Sequence, residues 1–251
     1  MQTLEGKRII VTGGTRGLGR ALVEALVERK ALVTVLARDV FRLDELKGRL
    51  GVAVVAGDIT DRSLTAKLIH SVRPDVIILN AGVKPTAAPI HKQTWEGFSD
   101  AWNTDVKAAL QWIQEAIALP LAPGSRVLLG SSGAALGRSP LAGGLSGAKR
   151  AMWSMAHYAN FSSEQLNLGI RFQAVVPMQI FAETDGGRVA AEAYADLRGV
   201  PVEAFIKGAF GKPMTPRDFA EHVVHILTDP AYEGGTVYGI KPDAGIAALD
   251  G

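Results

Sequence analysis

The residues best equipped for chemistry lie in the run Thr12-Gly13-Gly14-Thr15-Arg16-Gly17-Leu18-Gly19. It follows an apolar, β-like stretch, Arg8–Val11, and leads into a helix-like stretch, Leu18–Lys30. Glycines in that place let the backbone turn tightly and let a helix N-terminus approach a pyrophosphate, whose charge the helix dipole favours. A glycine-rich loop alone is a weak signal; the strand before it and the helix after it supply the context that a dinucleotide site needs. A second chemical signal closes the next β-like run, in Leu36-Ala37-Arg38-Asp39. A carboxylate at such a strand end would hold the ribose hydroxyls of NAD, whereas an arginine there accommodates a 2′-phosphate. Arg38 stands at the expected end and Arg16 projects from the loop nearby, so two guanidinium groups favour NADP over NAD. A shift of one residue would present Asp39 instead, and NAD with it.

These residues need a scaffold, and the chain provides an alternating one. Apolar runs at Arg8–Val11, Leu32–Leu36, Val52–Ala56, Val76–Leu79, Val127–Leu129, Phe172–Val176 and Thr236–Tyr238 are separated by helix-like stretches. The stretches with the clearest helical character are Leu18–Lys30, Leu64–Val72, Phe98–Leu119, Gly147–Leu166 and Arg217–Thr228. About seven strands alternating with helices predict an α/β fold with a doubly wound parallel sheet. No repeat or low-complexity linker divides the 251 residues, so a single domain over 1–251 is expected. The stretch from about 181 to 213 interrupts the alternation and is longer than an ordinary connection, which marks it as a candidate substrate lid.

Composition narrows the function. The absence of cysteine excludes disulfides, thiolate catalysis and Cys-ligated metals, and 28 glycines exceed the usual share of about 7%. A net charge of +2 gives no footprint for nucleic acid. No segment approaches the ~18 apolar residues of a membrane span, and a cytoplasmic protein acting on a small molecule is expected.

Further motifs bring a family into view. Asn80-Ala81-Gly82 follows the fourth apolar run and Gly57-Asp58-Ile59 follows the third. Together with Thr12 through Gly19 they resemble, in order and spacing, the short-chain dehydrogenase/reductase family in its form of about 250 residues, from about Gly6 to about Tyr238. The resemblance implies a single Rossmann-like domain and a nicotinamide cofactor. It implies cofactor contacts from Gly13, Thr15, Arg16, Gly17, Leu18, Gly19, Arg38, Asp58, Ile59, Asn80, Ala81, Gly82, Lys149, Pro177 and Ile180. It also implies assembly as a dimer or tetramer through Phe98–Leu119 and Gly147–Leu166.

The family's catalytic pattern is met only in part. Ser132, in Ser131-Ser132-Gly133, looks like the serine that bonds the substrate oxygen, and Lys149 looks like the lysine that binds the nicotinamide ribose. Four residues before that lysine the family has a proton-donating tyrosine, and this chain has Leu145. The family's asparagine falls on Asp105, with Asn103 a decoy two residues earlier, and its Pro-Gly step reads Pro177-Met178. Hydride transfer to a carbonyl creates an alkoxide that must be protonated or stabilised, so Ser132, Lys149 and Asp105 are the catalytic candidates. The resemblance then implies an NADP(H)-dependent oxidoreductase with a non-standard proton donor. A catalytically silent NADP-binding partner or sensor is the alternative, and a non-redox enzyme on the same fold is a third. Tyr194, Glu183 and Asp185 in the candidate lid could reach a substrate; Tyr158 falls out of phase with Lys149 on its helix; His222 and His225 lack a third partner for a metal site.

Overall fold

The computed structural model describes residues 2–84, 86–137 and 139–249. The outermost residues of the expected domain, Met1 and Asp250–Gly251, lie outside them. The first half runs β1 (Arg8–Thr12), α1 (Gly17–Glu28), β2 (Leu32–Ala37), α2 (Val40–Leu50), β3 (Ala53–Ala56), α3 (Arg62–Val72) and β4 (Val76–Leu79). It continues through α4 (Trp95–Ala101), a π-helical turn (Trp102–Val106), α5 (Lys107–Ala118), β5 (Arg126–Gly130), α6 (Gly143–Gln165) and β6 (Arg171–Pro177). The last part holds α7 (Asp185–Arg198), α8 (Val202–Phe210), α9 (Pro216–Thr228), β7 (Val237–Lys241) and β8 (Gly245–Ala248).

The strands form one sheet in the order β3-β2-β1-β4-β5-β6-β7-β8, parallel except for β8, which runs antiparallel to β7. The apolar runs are almost unbroken because both faces are covered, as a parallel sheet requires. Alternate residues of β1 divide between the faces: Ile9 and Val11 pack with Leu22 and Leu26 of α1 and Val223 of α9, while Ile10 packs with Ile69 of α3 and Trp112 of α5. The chain winds outward from β1 to β3 and then returns to β4 on the other side of β1. The carboxyl ends of β1 and β4 therefore border a crevice, the place where open α/β sheets bind ligands. Among the described residues no helix is long and apolar enough to cross a membrane.

The structure corrects the expected elements in three places. The sheet has eight strands rather than seven. The eighth is a four-residue edge strand, Gly245-Ile246-Ala247-Ala248, whose one large apolar side chain, Ile246, gives too little pattern to be seen in advance. The expected helix Phe98–Leu119 starts at Trp95 and is interrupted by the π-helical turn. Residues 181–213, expected to interrupt the alternation as a candidate substrate lid without elements of its own, fold largely into α7 and α8.

Candidate functional site

A cleft of about 940 Å³ opens at the carboxyl ends of the strands, lined by Gly13, Thr15 through Gly19, Arg38, Asp58, Ile59, Asn80 through Gly82, Asp105, Ser132 and Lys149 among others. Its floor is the glycine loop. Gly13 has φ +67°, and a Cβ there would sit 2.8 Å from Ala81 Cα. At Gly19 a Cβ would fall 2.2 Å from the Gly13 carbonyl oxygen and 2.5 Å from Asn80 Nδ2. The loop thus lies flat against the start of the β4–α4 connection. Two polar residues fasten it: Asn80 Nδ2 donates to the carbonyls of Thr12 (3.3 Å) and Gly13 (3.4 Å), and Ala81 N donates to Thr12 Oγ1 (3.1 Å).

Helix α1 then begins with Arg16 at its N-cap, with no side-chain capping bond and no acidic residue in the first turn. Helices α2, α3, α4, α7 and α9 are capped by Asp39, Asp61, Thr94, Thr184 and Thr215. The first amides of α1 thus have no side-chain acceptor at the cap, beside a loop whose Gly13 and Gly19 leave no room for a Cβ. That geometry suits a pyrophosphate.

At the β2 end Arg38 and Asp39 have different surroundings. Strand β2 stops at Ala37, and Asp39 caps α2, accepting from Arg42 N (3.1 Å) with its other oxygen 3.2 Å from Arg42 Nε. Arg38 lines the cleft and, among the described residues, has no carboxylate within ion-pair distance. Asp58 accepts from Thr60 N (2.8 Å) and Thr60 Oγ1 (2.7 Å). Those bonds, the backbone one foremost, hold its carboxyl below the usual range, with Arg38 and Lys107 adding to the effect.

The opposite end brings Asp105 and Lys149 together. Asp105 Oδ2 lies 2.9 Å from Lys149 Nζ, with side-chain exposures of 2% and 12%. The contact is a close ion pair, and among the described residues Oδ2 has no other polar partner. Asp105 Oδ1 accepts from Val83 N (3.0 Å), and Lys149 Nζ donates to the Gly130 carbonyl (3.0 Å). The π-helical turn sets this register: it carries Asp105 inward and leaves Asn103 exposed, with its Nδ2 on Ser99 Oγ at 3.2 Å. Trp102 ties the turn to α6 by donating to the Gly144 carbonyl at 3.1 Å. Behind the pair is a small cavity of about 10 Å³, bordered by Thr12, Asp105, Gly130 and Lys149 on one side and by apolar residues such as Leu79, Trp112 and Met152 on the other.

The two serines separate by role. Ser131 Oγ donates to the Lys149 carbonyl and accepts from Trp153 Nε1, both at 2.8 Å, and so braces α6. Ser132 Oγ accepts from Ala134 N (3.2 Å), which leaves its hydroxyl hydrogen for the cleft it lines. Leu145 lines the cleft one helical turn before Lys149, on the same face of α6. It offers hydrocarbon where the neighbouring wall is polar.

The remaining candidates have other surroundings. Pro177 and Ile180 are not among the residues lining the cleft; the Pro177 carbonyl faces Gly133. Tyr158 is exposed on α6, and His225 bonds Asp229. Among the described residues no group of His, Cys, Asp and Glu could hold a metal. Sequence reasoning missed Lys84, Arg188, Val189 and Glu192, which line the cleft, and the ion pair between Arg16 and Asp185. No local pattern announces contacts made across so many residues.

Comparison with known proteins identifies the family. The family model described as short chain dehydrogenase matches residues 7–193. An oxidoreductase of Sarocladium schorii is 30% identical over 193 residues, 73% of this chain and 76% of its own. A tropinone reductase homologue of Arabidopsis thaliana is 30% identical over 260 aligned positions, covering 97% of this chain and 92% of its own. Among solved structures, L-sorbose reductase from Gluconobacter frateurii, complexed with NADPH and L-sorbose, superposes with a TM-score of 0.77 at 21% identity, covering 96% of this chain and 97% of its own. That likeness is one of fold. The chain belongs to the short chain dehydrogenase family of oxidoreductases.

Proposed function

We propose that this protein is an NADP(H)-dependent oxidoreductase in which the Asp105–Lys149 pair and Ser132 serve the reaction without a tyrosine. The residues present fit the dinucleotide: the loop at Gly13 and Gly19 admits no side chain, and α1 leaves its first amides uncapped. Arg38, with no carboxylate beside it among the described residues, supports a 2′-phosphate, and Asp39 is occupied as a helix cap. When bound, the reduced nicotinamide supplies a hydride.

The chain's own residues then handle the charge that develops on the substrate. The Ser132 hydroxyl donates a hydrogen bond to the substrate oxygen or nitrogen. The Lys149 ammonium, near the same wall, stabilises negative charge there and can pass a proton from Nζ. Asp105 holds that ammonium at the wall of the cleft, and the proton given up is replaced from solvent through the cleft that Lys149 lines. Residues 181–213 act as a lid, since Glu183, Asp185 and Glu192 border the cleft from that side.

The observation that carries this reading is the 2.9 Å contact between Asp105 and Lys149 at the end of the cleft away from Arg38. The test is a panel of carbonyl and imine substrates with purified protein and NADPH, run beside Lys149→Ala. Consumption of NADPH that depends on Lys149 is expected. A complete lack of it would favour a second reading, a silent NADP-binding protein, which the hydrocarbon wall at Leu145 supports. We also propose self-association through α5 and α6, where Leu110, Tyr158, Phe161 and Leu166 are exposed.

A further inference from the structure

The segment between β6 and α9 reaches back over the cleft and is clasped at two points. At the first, Arg16 Nη1 lies 2.6 Å from Asp185 Oδ2, in the first turn of α7. Next to it, Gly17 has φ +53° and fits so closely that a Cβ would be 3.2 Å from Thr184 Cγ2. Thr184 is the N-cap of α7, accepting from Gly187 N (3.1 Å) and donating to the Phe181 carbonyl (2.9 Å), so this contact fixes where the helix begins. At the second point the Tyr194 hydroxyl bonds Ser139 Oγ, before the start of α6, while its ring stacks on Phe205 with centroids 5.8 Å apart. Helix α7 thus extends from the glycine loop towards the entry of α6, with Val189 and Glu192 lining the cleft.

Four arginines line the cleft: Arg16, Arg38 and Arg42 from the dinucleotide side, and Arg188 on α7, whose Nη2 lies 4.0 Å from the other oxygen of Asp185. Arg38 has no carboxylate partner among the described residues, and Arg42 pairs with Asp39 in its own helical turn. Of the three on the dinucleotide side, Arg16 is held by a carboxylate from the segment over the cleft, and when Arg16 leaves, Asp185 keeps the longer pair with Arg188 in its own helical turn. Two anions then have a claim on one guanidinium, the Asp185 carboxylate and a 2′-phosphate. Their mutual repulsion makes joint occupancy unfavourable. We propose that Asp185 is a cofactor-selecting latch: a ligand with a 2′-phosphate draws Arg16 away from Asp185 and releases the first turn of α7, while a ligand without one leaves the clasp closed. Asp185 lowers the affinity for the phosphorylated dinucleotide and couples its arrival to the opening of the substrate side. This rests on the reading of Arg38 and Arg16 as a 2′-phosphate site.

The test measures binding of NADPH, NADH and adenosine 2′,5′-bisphosphate to the full chain, its Asp185→Asn variant and its Arg38→Ala variant. Amide hydrogen exchange in the first turns of α7 is followed with each ligand. The Arg16–Asp185 pair is 58% and 50% exposed, and exposed pairs are weak. Asp185→Asn should therefore tighten NADPH and the bisphosphate by about two- to fivefold and leave NADH unchanged. In the unsubstituted protein, NADPH and the bisphosphate should speed exchange at the start of α7 and NADH should not; in Asp185→Asn that exchange should be fast without ligand. Equal shifts for NADPH and NADH in Asp185→Asn, or no shift, would overturn the latch. So would exchange in α7 that ignores the 2′-phosphate. The cofactor reading fails by a different result: equal affinity of the unsubstituted protein for NADPH and NADH, with no effect of Arg38→Ala.

Discussion

Lys149→Met and Asp105→Asn should damage the protein unequally, and combining them should repair part of the damage. Two unit charges 2.9 Å apart attract by about 6 kcal/mol at an effective dielectric of about 20. Most of that offsets the cost of taking both groups out of water, so the net worth of the pair is small. Breaking it from one side is another matter. Lys149→Met strands a carboxylate that is 2% exposed and keeps a single backbone donor, Val83 N, and the expected loss is about 3–5 kcal/mol. Asp105→Asn preserves the acceptor for Val83 N. It leaves an ammonium that is 12% exposed and still bonded to the Gly130 carbonyl, so a loss of about 1–2 kcal/mol is expected. In the double variant no bare charge remains, and it should be more stable than Lys149→Met alone by about 1–3 kcal/mol. For a domain of this size 1 kcal/mol moves Tm by about 2–4 °C, so thermal and urea melts followed by circular dichroism resolve all four proteins. A double variant no more stable than Lys149→Met would refute the claim that Asp105 is a buried charge dependent on Lys149.

Other perturbations separate parts of the fold. Gly19→Ala places a methyl 2.2 Å from the Gly13 carbonyl and should lower stability by about 1–3 kcal/mol and abolish dinucleotide binding by calorimetry. Its control, Gly48→Ala in the open face of α2, has nothing within 4 Å and should raise stability by about 0.5–1 kcal/mol. Asp218 closes a capping box with Thr215, whose backbone and hydroxyl bonds hold its carboxyl below the ordinary value. Its contribution is fully present above the unfolded value near 3.9 and is lost as pH falls through the lower folded value. The Tm gap between the unsubstituted protein and Asp218→Asn should therefore stay constant above about pH 5 and narrow below about pH 4. Phe161 is 60% exposed on α6, and Phe161→Glu should reduce the sedimentation coefficient if that face joins copies of the chain; an unchanged value would remove the interface from α6.

What could be read from the sequence depended on how local the determining contacts are. The glycine loop was legible because turn, cradle and helix start occupy adjacent residues. The alternation of strands and helices was legible because both faces of the sheet are buried, which makes the runs at Ile9–Val11 and Val76–Leu79 continuously apolar. Arg38 against Asp39 needed one further fact, the exact end of β2, and the bonds from Asp39 to Arg42 supply it. The inward turn of Asp105 rests on a π-helical turn that no hydrophobic period reveals, although the family frame had selected Asp105 over Asn103. Strand β8 went unseen because a short edge strand with one large apolar side chain leaves little pattern, though Pro242-Asp243-Ala244-Gly245 before it is a turn signal. The clasp between Arg16 and Asp185 joins residues 169 positions apart and could be found only in three dimensions.

A π-helical turn contains one residue more than the α-helical turn it replaces, and in this chain the surplus falls between two fixed packings. Upstream, Ser99 and Ala101 are buried; downstream, Trp112 is fully buried. The extra residue is slack between these anchors, and it decides which side chain meets Lys149. The wall beside Lys149 therefore depends on chain length as well as on residue type. Deleting the exposed Asn103 would let 102–106 relax into regular helix while both anchors stay in the core. The residue presented to Lys149 would then be chosen by the new phase, at about 100° per position. A single-codon deletion could exchange the group beside the lysine in one step, with the dinucleotide cradle on β1 and β4 left as it is.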